Sequence, residues 1–147
     1  MNCKLTMTLI SESQKGECGD DWKYDLQAEV FNGELVGKGR ISVPKHTLES
    51  GAVREPFGSP GPVVLFEGEC SSDLEVTVQL TATEVDLFLN DVGKASKKIL
   101  IEPPHPGSSK LTREVDIDVN VKEAPAILNK EAVFLSLIHI SEPTRHI

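Results

Sequence analysis

Residues 74–101, LEVTVQLTATEVDLFLNDVGKASKKILI, decide the fold. Leu74, Val76, Val78 and Leu80 alternate with Glu75, Thr77 and Gln79. That period of two puts apolar side chains on one face and polar ones on the other, as in a half-buried strand. An acidic loop follows, Glu84-Val85-Asp86, then an apolar Leu87-Phe88-Leu89 and a turn at Asn90-Asp91-Val92-Gly93. Lys98-Ile99-Leu100-Ile101 resumes a strand.

Working outward, the same pattern recurs. Leu5, Met7 and Leu9 alternate with Thr6 and Thr8. Trp22, Tyr24, Leu26, Ala28 and Val30 face one way, and Lys23, Asp25, Gln27 and Glu29 the other. Asn32-Gly33 is a hairpin turn, since both residues tolerate positive φ, and its partner strand runs from Leu35 to Val43, ending at Pro44. Val63 to Glu67 is a short strand, and Val115, Ile117, Val119 and Val121 alternate with Asp116, Asp118 and Asn120. A further element begins at Ala126 and runs to Phe134. No stretch keeps a helical period. The pattern predicts an all-β chain of two packed antiparallel sheets, a β-sandwich. An immunoglobulin-like sandwich or a small closed barrel is the alternative.

The connection over residues 46–62, HTLESGAVREPFGSPGP, is rich in Pro and Gly and is expected to be irregular. It carries Phe57, which either anchors a partner from a loop or tucks back onto the sheet. Trp22, the one tryptophan, is expected in the core.

The bulk numbers bound the rest. A chain of 147 residues is one domain with room for a hydrophobic core. Aromatics make up 5%, so that core is aliphatic. A net charge of −8 repels phosphate backbones and argues against nucleic-acid binding. No segment has the length and hydropathy of a membrane span, and the N-terminus does not read as a signal peptide. Cys3, Cys18 and Cys70 are odd in number and contain no CxxC pair, so neither a disulfide framework nor a zinc site is indicated. Three reduced thiols in an intracellular protein are expected, with a Cys18–Cys70 bridge as the alternative.

Residues 135–145, LSLIHISEPTR, resemble the conceptual translation of a transposase-type sequencing-library adapter. The resemblance implies a single domain over residues 1–134, cut short near Phe134, followed by a non-native tail over residues 135–147 that is set aside in reading the fold as a tag would be; an amphipathic strand followed by a polar end is the competing reading.

The order of features over Lys4 to Glu123 resembles a C2-like domain. The Asp-bearing loop of that family corresponds to Asp20-Asp21-Trp22-Lys23-Tyr24, and its later half to the strand 74–80, the loop 84–86, the turn 90–96 and the strand 114–121. The resemblance implies a sandwich whose acidic loops meet at one pole. It departs from the calcium-dependent pattern, because Gln79-Leu80-Thr81-Ala82-Thr83 offers no Asp-x-Asp and there is no lysine-rich lipid-binding strand.

Calcium takes six to eight oxygen ligands from flexible loops, and Asp20, Asp21, Glu84, Asp86, Asn90 and Asp91 are the candidate set, with simple solvation as the competing reading. Catalysis finds little support. Outside the tail the histidines are His46 and His105, and neither sits in a spacing that suggests a nucleophile, an orienting group and an oxyanion hole. The expected function is therefore a non-enzymatic binding module that recognises a protein partner or an adjacent domain through apical loops. A calcium-dependent surface-binding module and a carbohydrate-binding sandwich are the alternatives; the latter requires exposed aromatics such as Trp22 and Tyr24.

Overall fold

The computed structural model describes residues 2–69, 71–86, 90–102, 111–122 and 131–142. Alternation of apolar and polar side chains makes nearly all of these residues strand: β1 (Asn2–Gly16), β2 (Asp21–Phe31), β3 (Leu35–Thr47), β4 (Val53–Arg54), β5 (Val63–Glu69), β6 (Leu74–Glu84), β7 (Asp91–Ile101), β8 (Leu111–Lys122) and β9 (Glu131–Glu142). The first sheet has the order β4-β1-β9-β8, with β5 also on β1, and the second has the order β3-β2-β6-β7. Both are antiparallel. The two sheets pack face to face as a sandwich and do not close into a barrel.

Each strand sends its apolar set inward. Leu5, Met7 and Leu9 of β1, and Ile138 and Ile140 of β9, meet Trp22 to Val30 of β2 and Leu74 to Ala82 of β6 in one buried core. The faces expected for β2, β6 and β8 are the faces observed. The hairpin of 74–101 is longer than its apolar residues suggest. β6 continues to Glu84 and β7 starts at Asp91, so the pairing runs unbroken from Leu74↔Ile101 to Glu84↔Asp91. Cross-strand hydrogen bonding extends the strands through Thr81, Thr83 and Lys94, whose polar side chains hide them from a hydropathy pattern. Leu87-Phe88-Leu89, Cys70, His105 and the start of the element expected over 126–134 lie outside the described residues.

Two expectations change. β3 does not stop at Pro44 but runs to Thr47, with an extra residue opposite Lys23 between the pairs Tyr24↔Val43 and Trp22↔His46. A proline is tolerated there because a bulge on an edge strand needs no ladder donor. Residues 135–142, set aside in reading the fold from sequence, form most of β9, between β1 and β8, as the competing reading of an amphipathic strand has it. Ser136, Ile138 and Ile140 point inward and are buried, and this alternation lets the segment pair. The adapter resemblance concerns the origin of these residues; the pairing concerns their placement.

The cysteines also differ from expectation. Cys3 is disulfide-bonded, so the three thiols are not all reduced. Cys18 is a buried thiol outside any disulfide that donates to the Val121 carbonyl at 3.6 Å, which excludes a Cys18–Cys70 bridge.

The sheets approach closely where β7 passes β8. Gly93 faces inward there, and a Cβ on it would lie 2.5 Å from the Asn120 carbonyl oxygen and 2.5 Å from Val119 Cγ1. Backbone cannot yield as a flexible side-chain end can, so Gly93→Ala is expected to destabilise by about 1–3 kcal/mol, the usual range for overpacking. Gly61→Ala, with no atom within 4 Å of its added Cβ, should leave stability unchanged. Urea denaturation of the two variants beside the parent checks this.

Candidate functional site

A carboxylate between two apolar sheets is costly unless several donors meet it. Glu12 of β1 is such a group, with 1% of its surface exposed. Its position follows from a bulge. In β1 the register with β9 shifts between Leu9 and Ser11, so the inward set changes from Leu5, Met7 and Leu9 to Glu12 and Gln14. In β3 the bulge after Val43 does the same, turning His46 inward in place of Lys45.

Three donors converge on Glu12. The Tyr24 hydroxyl of β2 donates to Oε1 at 2.9 Å. The backbone N–H of Phe57, in the connection between β4 and β5, donates to the same oxygen at 2.9 Å. His46 Nε2 is hydrogen-bonded to Oε2. The other ring nitrogen, Nδ1, lies 2.8 Å from the Pro44 carbonyl. A carbonyl only accepts, so Nδ1 carries a hydrogen, and both ring nitrogens are engaged within the protein.

Phe57 is thereby fixed. Its ring stacks on the His46 imidazole with centroids 4.7 Å apart and planes 2° from parallel, yet the residue is 48% exposed. One ring face is thus tucked against the sheet, as one of the two sequence readings has it, and the rest of the side chain meets solvent. Gln14, two residues on, ties down the neighbouring loops. Its side-chain amide donates to the Leu48 carbonyl at 2.9 Å and the Gly19 carbonyl at 3.2 Å, and Trp22 Nε1 also donates to Gly19 at 3.0 Å.

The acidic candidates fall at this same end of the second sheet. Asp21 opens β2, Glu84 closes β6 and Asp91 opens β7, and the pairs Trp22↔Glu84 and Glu84↔Asp91 place them in neighbouring strands. The Val85 N–H donates to the Asp21 carbonyl at 2.7 Å, joining the two loops, and the Asp86 N–H donates to Asn90 Oδ1 at 3.2 Å. Asp20, Asp86 and Asn90 are exposed, whereas Glu84 and Asp91 are buried. Among the described residues no group of three or more His, Cys, Asp or Glu is placed to hold a metal ion. The topology brings the two loops to one pole without gathering their carboxylates around a point.

Sequence reasoning missed Glu12 and His46 as a pair. Strict alternation places Glu12 on the outer face with Thr6 and Thr8, and only the bulges reverse it. Two polar residues, Glu12 and Gln14, following an apolar alternation were the signal available.

Comparison of the chain with protein-family models and with curated proteins finds no match.

Two measurements follow. Glu12→Ala leaves Tyr24, His46 and Phe57 without their acceptor and is expected to cost about 3–5 kcal/mol, the range for breaking a buried pair. Glu12→Gln should cost clearly less, because its carbonyl still accepts from Tyr24 and Phe57 and its amide can donate to Nε2; chemical denaturation of both variants checks the order. Burial first, and then the charge of Glu12 and the hydrogen bond to it, raise the Tyr24 phenol far above its ordinary value of 10.0. In the unfolded chain Tyr24 ionises near that value and in the folded one it stays protonated, so its contribution is complete below pH 10 and is lost as the pH rises beyond. It is the only tyrosine. Tyrosinate absorbance should therefore appear together with unfolding in an alkaline titration, and not before it.

Proposed function

We propose that this protein is a non-enzymatic binding module that recognises a protein partner, or an adjacent domain of a longer chain, through the loops at the Phe57 end of the sandwich. The observation that carries this reading is Phe57 itself, a half-exposed ring whose backbone is tied to a buried carboxylate and whose inner face is stacked on His46. An aromatic held in place before contact loses little freedom on binding, and aromatic anchors of this kind dominate interface energetics. The Glu12–His46 pair holds the loop: one imidazole nitrogen is engaged by Glu12 and the other by the Pro44 carbonyl.

The C2-like reading supplies the apical placement, with both acidic loops at one pole. It also keeps calcium as the second reading, with Asp20, Asp21, Asp86, Asn90 and the buried Glu84 and Asp91 as the set. The absence of a three-ligand group among the described residues weighs against it. Trp22 and Tyr24, the aromatics that a sugar-binding face would use, are buried, which weighs against a carbohydrate ligand. The intracellular placement loses the argument from thiols, because Cys3 is disulfide-bonded and disulfides persist chiefly in oxidising compartments. Among the described residues no helix is long and apolar enough to cross a membrane.

Phe57→Ala keeps the backbone donor to Glu12 and removes only the ring. It should leave the fold intact by circular dichroism and weaken binding to an affinity-captured partner at least tenfold; unchanged affinity would sink the proposal. Thermal melting with and without millimolar calcium separates the two readings. The metal-free module shows no shift, whereas an occupied site raises the melting temperature by mass action.

A further inference from the structure

The outer face of the second sheet is mostly a polar lattice, and at the end away from Phe57 it is not. Reading across β3, β2, β6 and β7, the rows are Ser42, Asp25, Thr81 and Lys94, then Arg40, Gln27, Gln79 and Ser96, then Lys38, Glu29, Thr77 and Lys98. The next row is Leu35, Phe31, Glu75 and Leu100. Leu35 is 49% and Leu100 53% exposed. With strands spaced about 4.8 Å apart, the row spans roughly 14 Å from Leu35 to Leu100.

Phe31, Glu75 and Leu100 of this row line a groove of about 510 Å³ together with Glu29, Asp73 and Lys98, and Leu35 flanks it as the cross-strand neighbour of Phe31. The lining thus holds three carboxylates and one ammonium, which is placed 3.4 Å from Glu75, while Lys38 stands beside Glu29 on β3 and leaves Glu75 and Asp73 the carboxylates open to an incoming cation. Solvent-exposed pairs of this kind hold weakly, so an incoming cation can take the place of Lys98. Exposed leucines on both sides of a carboxylate offer apolar contact at the ends and negative charge between.

We infer that the row Leu35, Phe31, Glu75 and Leu100 is a docking groove for a positively charged amphipathic polypeptide segment of another protein. The segment sets apolar side chains on Phe31 and Leu100 and a Lys or Arg between them against Glu75 and Asp73. Charge selects this occupant over the others. A second copy would bring carboxylates onto carboxylates, in a chain of net charge −8, and a phosphate-bearing surface is repelled for the same reason. The groove is at the opposite end of the sandwich from Phe57 and does not depend on the Phe57 reading.

The test uses the full chain labelled with nitrogen-15 and a short peptide alternating Leu and Lys. Matched peptides alternating Ser and Lys, or Leu and Glu, serve as controls. The expected result is saturable shifts at the amides of Phe31, Glu75 and Leu100 with the Leu–Lys peptide. Affinity should fall at least tenfold for either control peptide, for the double variant Leu35→Ser with Leu100→Ser, and for Glu75→Gln. Phe57→Ala should bind the peptide as the parent does, so failure here and failure of the Phe57 reading are told apart. Three results overturn the inference: no shifts or shifts elsewhere, equal binding of the Ser–Lys peptide, or concentration-dependent shifts in this row without any peptide, which would mark a contact between copies of the chain.

Discussion

A carboxylate set between two apolar sheets constrains everything near it. Glu12 cannot be buried without donors, and the donors come from three separate parts of the chain: Tyr24 from β2, His46 from β3 and the Phe57 amide from the connection beyond β4. The cluster therefore ties the first sheet to the second and a Pro-rich connection to both. Apolar packing alone would hold the sheets together at many similar offsets, since dispersion and hydrophobic burial have little direction. Hydrogen bonds to one carboxylate have direction, and they select an arrangement. Buried polar groups have that use in some proteins even where they add little net stability.

The same geometry gives the molecule two unlike ends. At one, loops are organised by side chains reaching out of the core, with Gln14 holding Leu48 and Gly19 and Glu12 holding Phe57. At the other, the tight Asn32-Gly33 turn brings β2 and β3 together and leaves an apolar row on the outer face of the sheet. Between the ends the outer face is a lattice of short polar and charged residues such as Gln27, Gln79 and Ser96. Backbone closeness matters as well. Gly93 lets β7 lie against β8, and Gly39, inward on β3, lies where any Cβ would press on Leu65 and Val63 of β5. Small residues on the facing edges let the sandwich narrow at both sides.

Much of the fold was legible before any coordinates. The alternations of 22–30, 74–80 and 115–121 named their buried faces correctly, because a strand has no other way to segregate Val and Leu from Glu and Thr. The strand ends were less legible, because Thr81, Thr83 and Lys94 pair through backbone atoms that side-chain hydropathy does not report. β9 was set aside on the origin suggested for residues 135–145, although Ile138 and Ile140 carry the same alternation. At the site, the acidic loops were expected at one pole and are there, and the ring of Phe57 tucks against the sheet, one of the two placements expected for it. What holds that ring was not seen.

The sequence by itself determined that this chain alternates, and hence that it makes two-faced strands that must stack to hide their apolar sides. Only the tertiary structure decided which polar residues are carried inward. One extra residue reverses the parity of everything beyond it, and nothing in the side chains around Ile10 or Pro44 states whether the partner strand will skip a residue there. Because the ladder is shared between strands distant in the chain, Glu12 and His46 turn toward each other only once β1 has found β9 and β3 has found β2.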